Sequence, residues 1–105
     1  MARGRPEQDI DRMSKRIYLK TANEVLDYGV DWADWLGSDQ ISSSAWEVPA
    51  GITLSASEND ATSAKAWLAG GTVGGDYAVR NRIVTNAGRT AERSFRVRIV
   101  ERRYN

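Results

Sequence analysis

Apolar and polar residues alternate at a period of two along most of this chain, the spacing that sends successive side chains to opposite faces of a half-buried strand. In EVLDYGVDWADWLG, Leu26, Tyr28, Val30 and Trp32 alternate with polar or small residues. The period then changes. Trp32, Trp35 and Leu36 fall at helical spacing, with Asp31 placed to cap a single turn and Gly37 placed to end it. The pattern predicts a strand running into one short helical turn near residues 32–36. QISSSAWEVP reads as a strand closed by Pro49, which has no N–H to give to a ladder. Beyond the turn at Gly51, Ile52, Leu54 and Ala56 alternate again, up to the turn-prone SEND of residues 57–60. SAKAWLAGG then sets Ala64, Ala66 and Leu68 on one face and Lys65 and Trp67 on the other, before the glycine-rich GGTVGG.

The last third is the clearest. Tyr77, Val79 and Ile83 share one face of DYAVRNRIVT, and Phe95, Val97 and Ile99 share one face of RSFRVRIV. NAGR between them supplies Asn86 and Gly88, residues that tolerate positive φ, so the two strands are expected to form a long hairpin. A short extended piece, Arg16–Leu19, precedes all of this. Six or seven short strands with no long helical pattern predict an all-β antiparallel sandwich over residues 15–105. Residues 1–14 are polar and basic, contain Gly4 and Pro6, and read as a disordered leader; Met13 is a second candidate start. Gly75-Asp76-Tyr77-Ala78-Val79 resembles the start of strand F in immunoglobulin-like domains. There a corner tyrosine bonds back to the backbone, and Val79 stands where antibody domains place a cysteine. The expected class is therefore an immunoglobulin-like β-sandwich of about seven strands.

Composition narrows the chemistry. Among the 105 residues there is no cysteine and no histidine, which removes disulfides, thiolate metal sites, the commonest general base and the commonest metal ligand. No catalytic residue, cofactor site or metal site is expected. No apolar run approaches the ~20 residues of a membrane-crossing helix, and the first residues lack the apolar middle of a secretory signal, so a cytoplasmic start is expected. The net charge of +1 hides a strong asymmetry. Residues 1–20 hold six basic and three acidic groups, residues 21–64 eight acidic and no basic ones, and residues 65–105 nine basic and three acidic. Such segments either pair within the fold or present surfaces of opposite sign.

Each motif has a bland reading beside its chemical one. GGTVGG lacks the GxxxxGK[ST] pattern and a following helix, so a connecting loop is expected rather than a phosphate cradle. Asp27, Asp31 and Asp34 lack the glycine and closing glutamate of a helix–loop–helix calcium site, which leaves capping and a solvated face. Arg80, Arg82, Arg96 and Arg98 alternate with the core residues of the final hairpin and share its outward face. A protein partner or plain solvation suits them better than nucleic acid, because that face has no aromatics and the acidic middle offsets the charge. Of the four tryptophans, Trp32 and Trp46 are expected in the core. Trp35 and Trp67 are candidates for an interface or for seals on the open ends of the sandwich.

EVLDYGVDWADWL, ISSSAWEVPAGI and AKAWLAGGTVGGDYAVRNRIVTNAGR, followed by an arginine-punctuated strand, resemble the phage fibre–tail adaptor family over roughly residues 15–101. Asp31-Trp32, Ser44-Ala45-Trp46 and Gly70-Gly71-Thr72 carry the resemblance. Where the family often has Asp-Pro before its first strand, this chain has Thr21-Ala22. The resemblance implies a non-enzymatic structural protein of a phage or prophage tail, linking tail to fibre through contacts with other tail or fibre proteins. The leading expectation is a chain that is a monomer in isolation and forms a ring in the virion, with no nucleic-acid or membrane partner. The competing expectation is a free-standing immunoglobulin-like module that recognises a carbohydrate or a surface protein.

Overall fold

A computed structural model describes residues 16–102, so the leader expected over residues 1–14 lies outside the described residues. The alternation yields seven strands and one helical turn: β1 Ile17–Thr21, β2 Leu26–Asp31, α1 Ala33–Leu36, β3 Ile41–Glu47, β4 Ile52–Asn59, β5 Ser63–Gly70, β6 Asp76–Thr85 and β7 Thr90–Val100. They build two sheets, β1-β7-β6-β3 and β2-β5-β4. Their facing sides enclose Tyr28, Val30, Leu68, Val79, Ile83, Phe95, Val97 and Ile99, with Trp32, Leu36, Ile41 and Ile52 closing the core. Each fully buried side chain of this size contributes about 1.5–3 kcal/mol relative to exposure, which is why the alternation dictates the register.

One pairing departs from the antiparallel expectation. β1 runs parallel to β7, with Ile17 opposite Arg96 and Thr21 opposite Val100. The cause is topological: β1 must hand the chain to the other sheet at the end where β7 finishes, so the two point the same way. The hand-over is a tight turn from Thr21 to Glu24, with Ala22 and Asn23 at its centre. The Glu24 N–H donates to Thr21 O at 3.2 Å, and the Thr21 N–H donates to the Glu24 carboxylate at 2.9 Å.

β4 also runs further than its sequence indicates, through Ser57 and Glu58 to Asn59. A bulge between Leu54 and Ala56 resets its alternation. The turn that follows is compact because the Asp60 carboxylate accepts the N–H groups of Thr62 and Ser63 and the Ser63 hydroxyl, at 2.8–3.0 Å. In α1 the backbone cap position is Trp32. The Asp31 carboxylate nevertheless takes the Ala33 N–H at 3.0 Å, and Gly37, at φ 64°, ends the turn.

The glycine-rich connection is anchored along its length. Thr72 N–H donates to the Tyr77 hydroxyl at 3.0 Å, Gly74 N–H to Ile99 O at 2.8 Å, and Gly75 N–H to Thr72 O at 2.7 Å. These three donors are engaged internally. Gly71 has φ 102°, and a Cβ there would meet Ile99 at 2.5 Å, so only glycine fits.

Candidate interaction surfaces

Three surfaces carry the residues singled out by sequence. The first is the outer face of the four-stranded sheet, where Arg80, Arg82, Arg96 and Arg98 stand together, each about half exposed. The hairpin register sets Arg82 beside Glu92 and Arg98 beside Asp76. Arg80 bridges Glu47 at 2.9 Å and Glu92 at 3.4 Å, while Arg82 reaches Glu92 at 3.3 Å. Arg96 and Arg98 both bond Asp76, at 3.2 Å each. The arginine face is thus an ionic network closed largely within its own sheet. Between Glu47, Val48, Pro49, Ala78, Arg80 and Glu92 lies an open hollow of about 400 Å³, whose two carboxylates are held by the same guanidinium.

The second surface is the end of the sandwich where the β2–β3 connection meets the β6–β7 turn. Arg89 lies 4.1 Å over the ring of Trp35, Trp35 meets Trp32 edge-on at 5.5 Å, and Arg93 lies 4.3 Å over Trp32. Trp32 is buried and donates its indole N–H to Asn81 Oδ1 at 2.9 Å. Trp35 is half-buried and packs against the core. Asp39 clamps the same end, accepting Arg89 Nε and Nη2 at 3.1 and 3.0 Å and the Ala87 N–H at 3.1 Å. The Thr85 hydroxyl is the largest of several donors that hold its carboxyl down at about 2. Backbone N–H bonds, led by that of Thr62, hold Asp60 below its ordinary value as well. Asp31 and Asp34 are exposed nearby.

The third surface is the outer face of the three-stranded sheet. Trp67 sits half-buried on the central strand, with Asp27 and Ala56 as its cross-strand neighbours. Asp27 lies 4.0 Å from Lys65, whose ammonium is 5.6 Å from the Trp67 ring centre. Asp27 and the four arginines therefore lie on opposite sides of the sandwich. The remaining singled-out residues face inward: Val79 is fully buried, and Tyr77 holds the corner described above. Trp46 is half-buried, 6.0 Å from Phe95, its indole N–H buried without a hydrogen-bond partner among the described residues.

Sequence reading passed over Asn81, Arg89 and Arg93, which organise the second surface, and Glu92 and Asp76, which organise the first. The signal for the acids was present. Counting outward from the NAGR turn sets Glu92 beside Arg82 and Asp76 beside Arg98. Asn81 shares the parity of Val79 and Ile83 and is fully buried. It donates to Ser44 Oγ and Ala45 O at 2.9 and 3.0 Å while accepting from Trp32. Among the described residues no group of three or more acidic, cysteine or histidine side chains could hold a metal. No helix there is long and apolar enough to cross a membrane.

The order β2-β5-β4 against β3-β6-β7, a corner tyrosine on β6 and a buried valine two residues on define an immunoglobulin-like sandwich domain. Comparison with known families then identifies the lineage. The family model described as podophage GP4 fiber-tail adaptor protein gp77 matches residues 20–98, and the chain belongs to that family. The family's role is structural, and it implies a place in the virion tail and binding to other tail or fibre proteins. Among solved structures the chain is similar to the solution structure of the PKD domain from KIAA 1837 protein. Identity is 16% and the TM-score 0.49, over 88% of this chain and 87% of that one. No curated protein matches.

Proposed function

We propose that this chain is a non-enzymatic adaptor that joins a phage tail to its fibre purely by protein–protein contact. The family match over residues 20–98 carries this reading. The described surfaces support it, because their charged groups form ion pairs and hydrogen bonds with one another around rigid sheets. Such a domain presents fixed shapes and charges to neighbours without needing a cofactor. We infer further that the isolated protein is a monomer made in the host cytoplasm, and that several copies form a ring on the growing tail. Exposed ion pairs contribute only about 0–1 kcal/mol each, so assembly waits for the high local concentration that a tail scaffold provides.

The test is deletion of the gene from the phage. Particles that keep their tails but lack fibres by electron microscopy and mass spectrometry, restored by the gene in trans, are the expected result. Fully fibred, infectious particles would overturn the reading.

A further inference from the structure

The edge strand β1 is unlike the other three edges of the sandwich. β3 carries a bulge between Ile41 and Ser43, β4 carries one between Leu54 and Ala56, and β2 presents Asp27 and Asp31. Bulges and charges of this kind discourage a further strand from pairing. β1 has neither along Ile17–Leu19, and the side chains of Ile17 and Leu19 are 43% and 48% exposed. Among the described residues its backbone is also open there. Arg96 N–H donates to Arg16 O, and Ile17 is the register partner of Arg96, so in a parallel ladder Arg16, Tyr18 and Lys20 bond to β7. Ile17 and Leu19 therefore turn their N–H and C=O groups outward. Thr21 does the same, but Glu24 closes it from both sides.

The surroundings select what can pair. In the outer face, Ile17 and Leu19 stand directly beside Arg96 and Arg98. These two guanidinium groups share the single carboxylate of Asp76, through Arg96 Nε at 3.2 Å, Arg96 Nη2 at 3.3 Å and Arg98 Nη2 at 3.2 Å. Among the described residues one positive charge of this pair is left uncompensated. On the inner side, half-buried Tyr18 packs against Tyr28 and Phe95 with ring centres 5.3 and 5.4 Å apart.

We propose that the open edge of β1 is the docking strand for an extended segment of another virion protein in which acidic and apolar residues alternate. This rests on the adaptor reading above and names the chemistry of its partner. A strand added beside β1 lies about 10 Å from β7, within the combined reach of a glutamate and an arginine side chain. Its outward residues meet Arg96 and Arg98, and its inward residues cover Tyr18. Main-chain bonds supply attachment and the two alternating faces supply selectivity.

The probe is an end-capped hexapeptide of alternating valine and glutamate, added to the full-length chain and followed by NMR, with a valine–lysine peptide as control. Expected are slowed exchange of the Ile17 and Leu19 amides and at least about tenfold weaker binding of the lysine peptide and of the Arg96→Gln/Arg98→Gln variant. Leu19→Pro, which removes only an outward N–H from the ladder pattern, abolishes the protection; should that variant not fold, the charge comparison decides. Equal binding of both peptides, perturbation confined to other strands, or amides already protected in the free chain would overturn the proposal. Dimerisation of the free protein that Leu19→Pro abolishes would overturn it too, by making a second copy the occupant. In complementation, wild-type protein is expected in purified virions and the folded variants are expected to be depleted. Normal incorporation of the variants refutes the edge proposal alone, whereas absence of the wild type refutes the adaptor reading.

Discussion

The Tyr77 hydroxyl accepts the backbone N–H of Thr72 at 3.0 Å, fastening the start of β6 to the glycine-rich loop before it. Gly75 lets the ring approach the loop closely, since a Cβ there would stand 2.7 Å from the hydroxyl oxygen. The bond lies at the solvent margin rather than in a sealed corner. Tyr77→Phe is therefore expected to cost about 0.5–1.5 kcal/mol, the net value of one ordinary hydrogen bond, because water can reach the released N–H. Chemical denaturation measures it; an unchanged midpoint would show that the corner does not depend on the hydroxyl.

Asn81 is expected to matter more. Its side chain accepts from Trp32 and donates to Ser44 and Ala45 in the fully buried interior. Asn81→Ala leaves the indole N–H without its acceptor and opens a void, and a loss of about 2–4 kcal/mol is expected. Near-ultraviolet circular dichroism of Trp32 offers a second readout, since the ring loses one of its fixed contacts. Stability equal to wild type would sink the assignment of Asn81 as the polar keystone between the sheets.

How much of this could be read in the sequence depended on whether parity or reach decided a residue's place. Val79, Phe95, Val97 and Ile99 announce their buried face through the two-residue period, and the fold class follows from it. The NAGR turn fixes a register that also places Glu92 and Asp76, so the pairing of the arginine face was legible by counting. The stack of Arg89 on Trp35 was not. It joins a residue of the β6–β7 turn to one in the β2–β3 connection, across 54 positions of chain, and no local pattern encodes such a meeting. Lys20 was equally hidden. The alternation of β1 turns it inward, and its ammonium is held by the carbonyl oxygens of Thr21 and Gly70 at 2.9 and 2.5 Å. Burial pushes its pKa down while Glu24 pulls it back up.

Asp39 gives the domain a defined response to acid. Donors from Thr85, Gln40, Arg89 and Ala87 stabilise its carboxylate, so its folded pKa of about 2 lies below the ordinary 3.8. A carboxyl whose pKa falls on folding contributes stability that is fully present above the ordinary value and lost as pH drops through the folded one. The stability of the wild type should therefore decline between pH 4 and pH 2 more steeply than that of Asp39→Asn. Denaturation midpoints across that window check the slope. Parallel curves for the two proteins would show that other carboxylates govern the acid response.

Reversing Arg82 and Arg96 separately distinguishes two ways in which the arginine face can serve assembly. Arg82 is held by Glu92 and Arg96 by Asp76, both at half-exposed sites, so each reversal should lower stability by only about 1 kcal/mol at low salt, and less at high salt. If the whole face met the acidic residues Asp27, Asp31 and Asp34 of a neighbouring copy in a ring, Arg82→Glu and Arg96→Glu would impair incorporation into tails alike. Docking at the β1 edge involves only the strip beside Ile17 and Leu19, which contains Arg96 and not Arg82. The expected outcome is therefore unequal: Arg96→Glu depletes the protein from virions, while Arg82→Glu enters them at wild-type levels. Equal loss would favour the ring contact across the full face, and retention of both would leave the arginines with a role only in their own sheet.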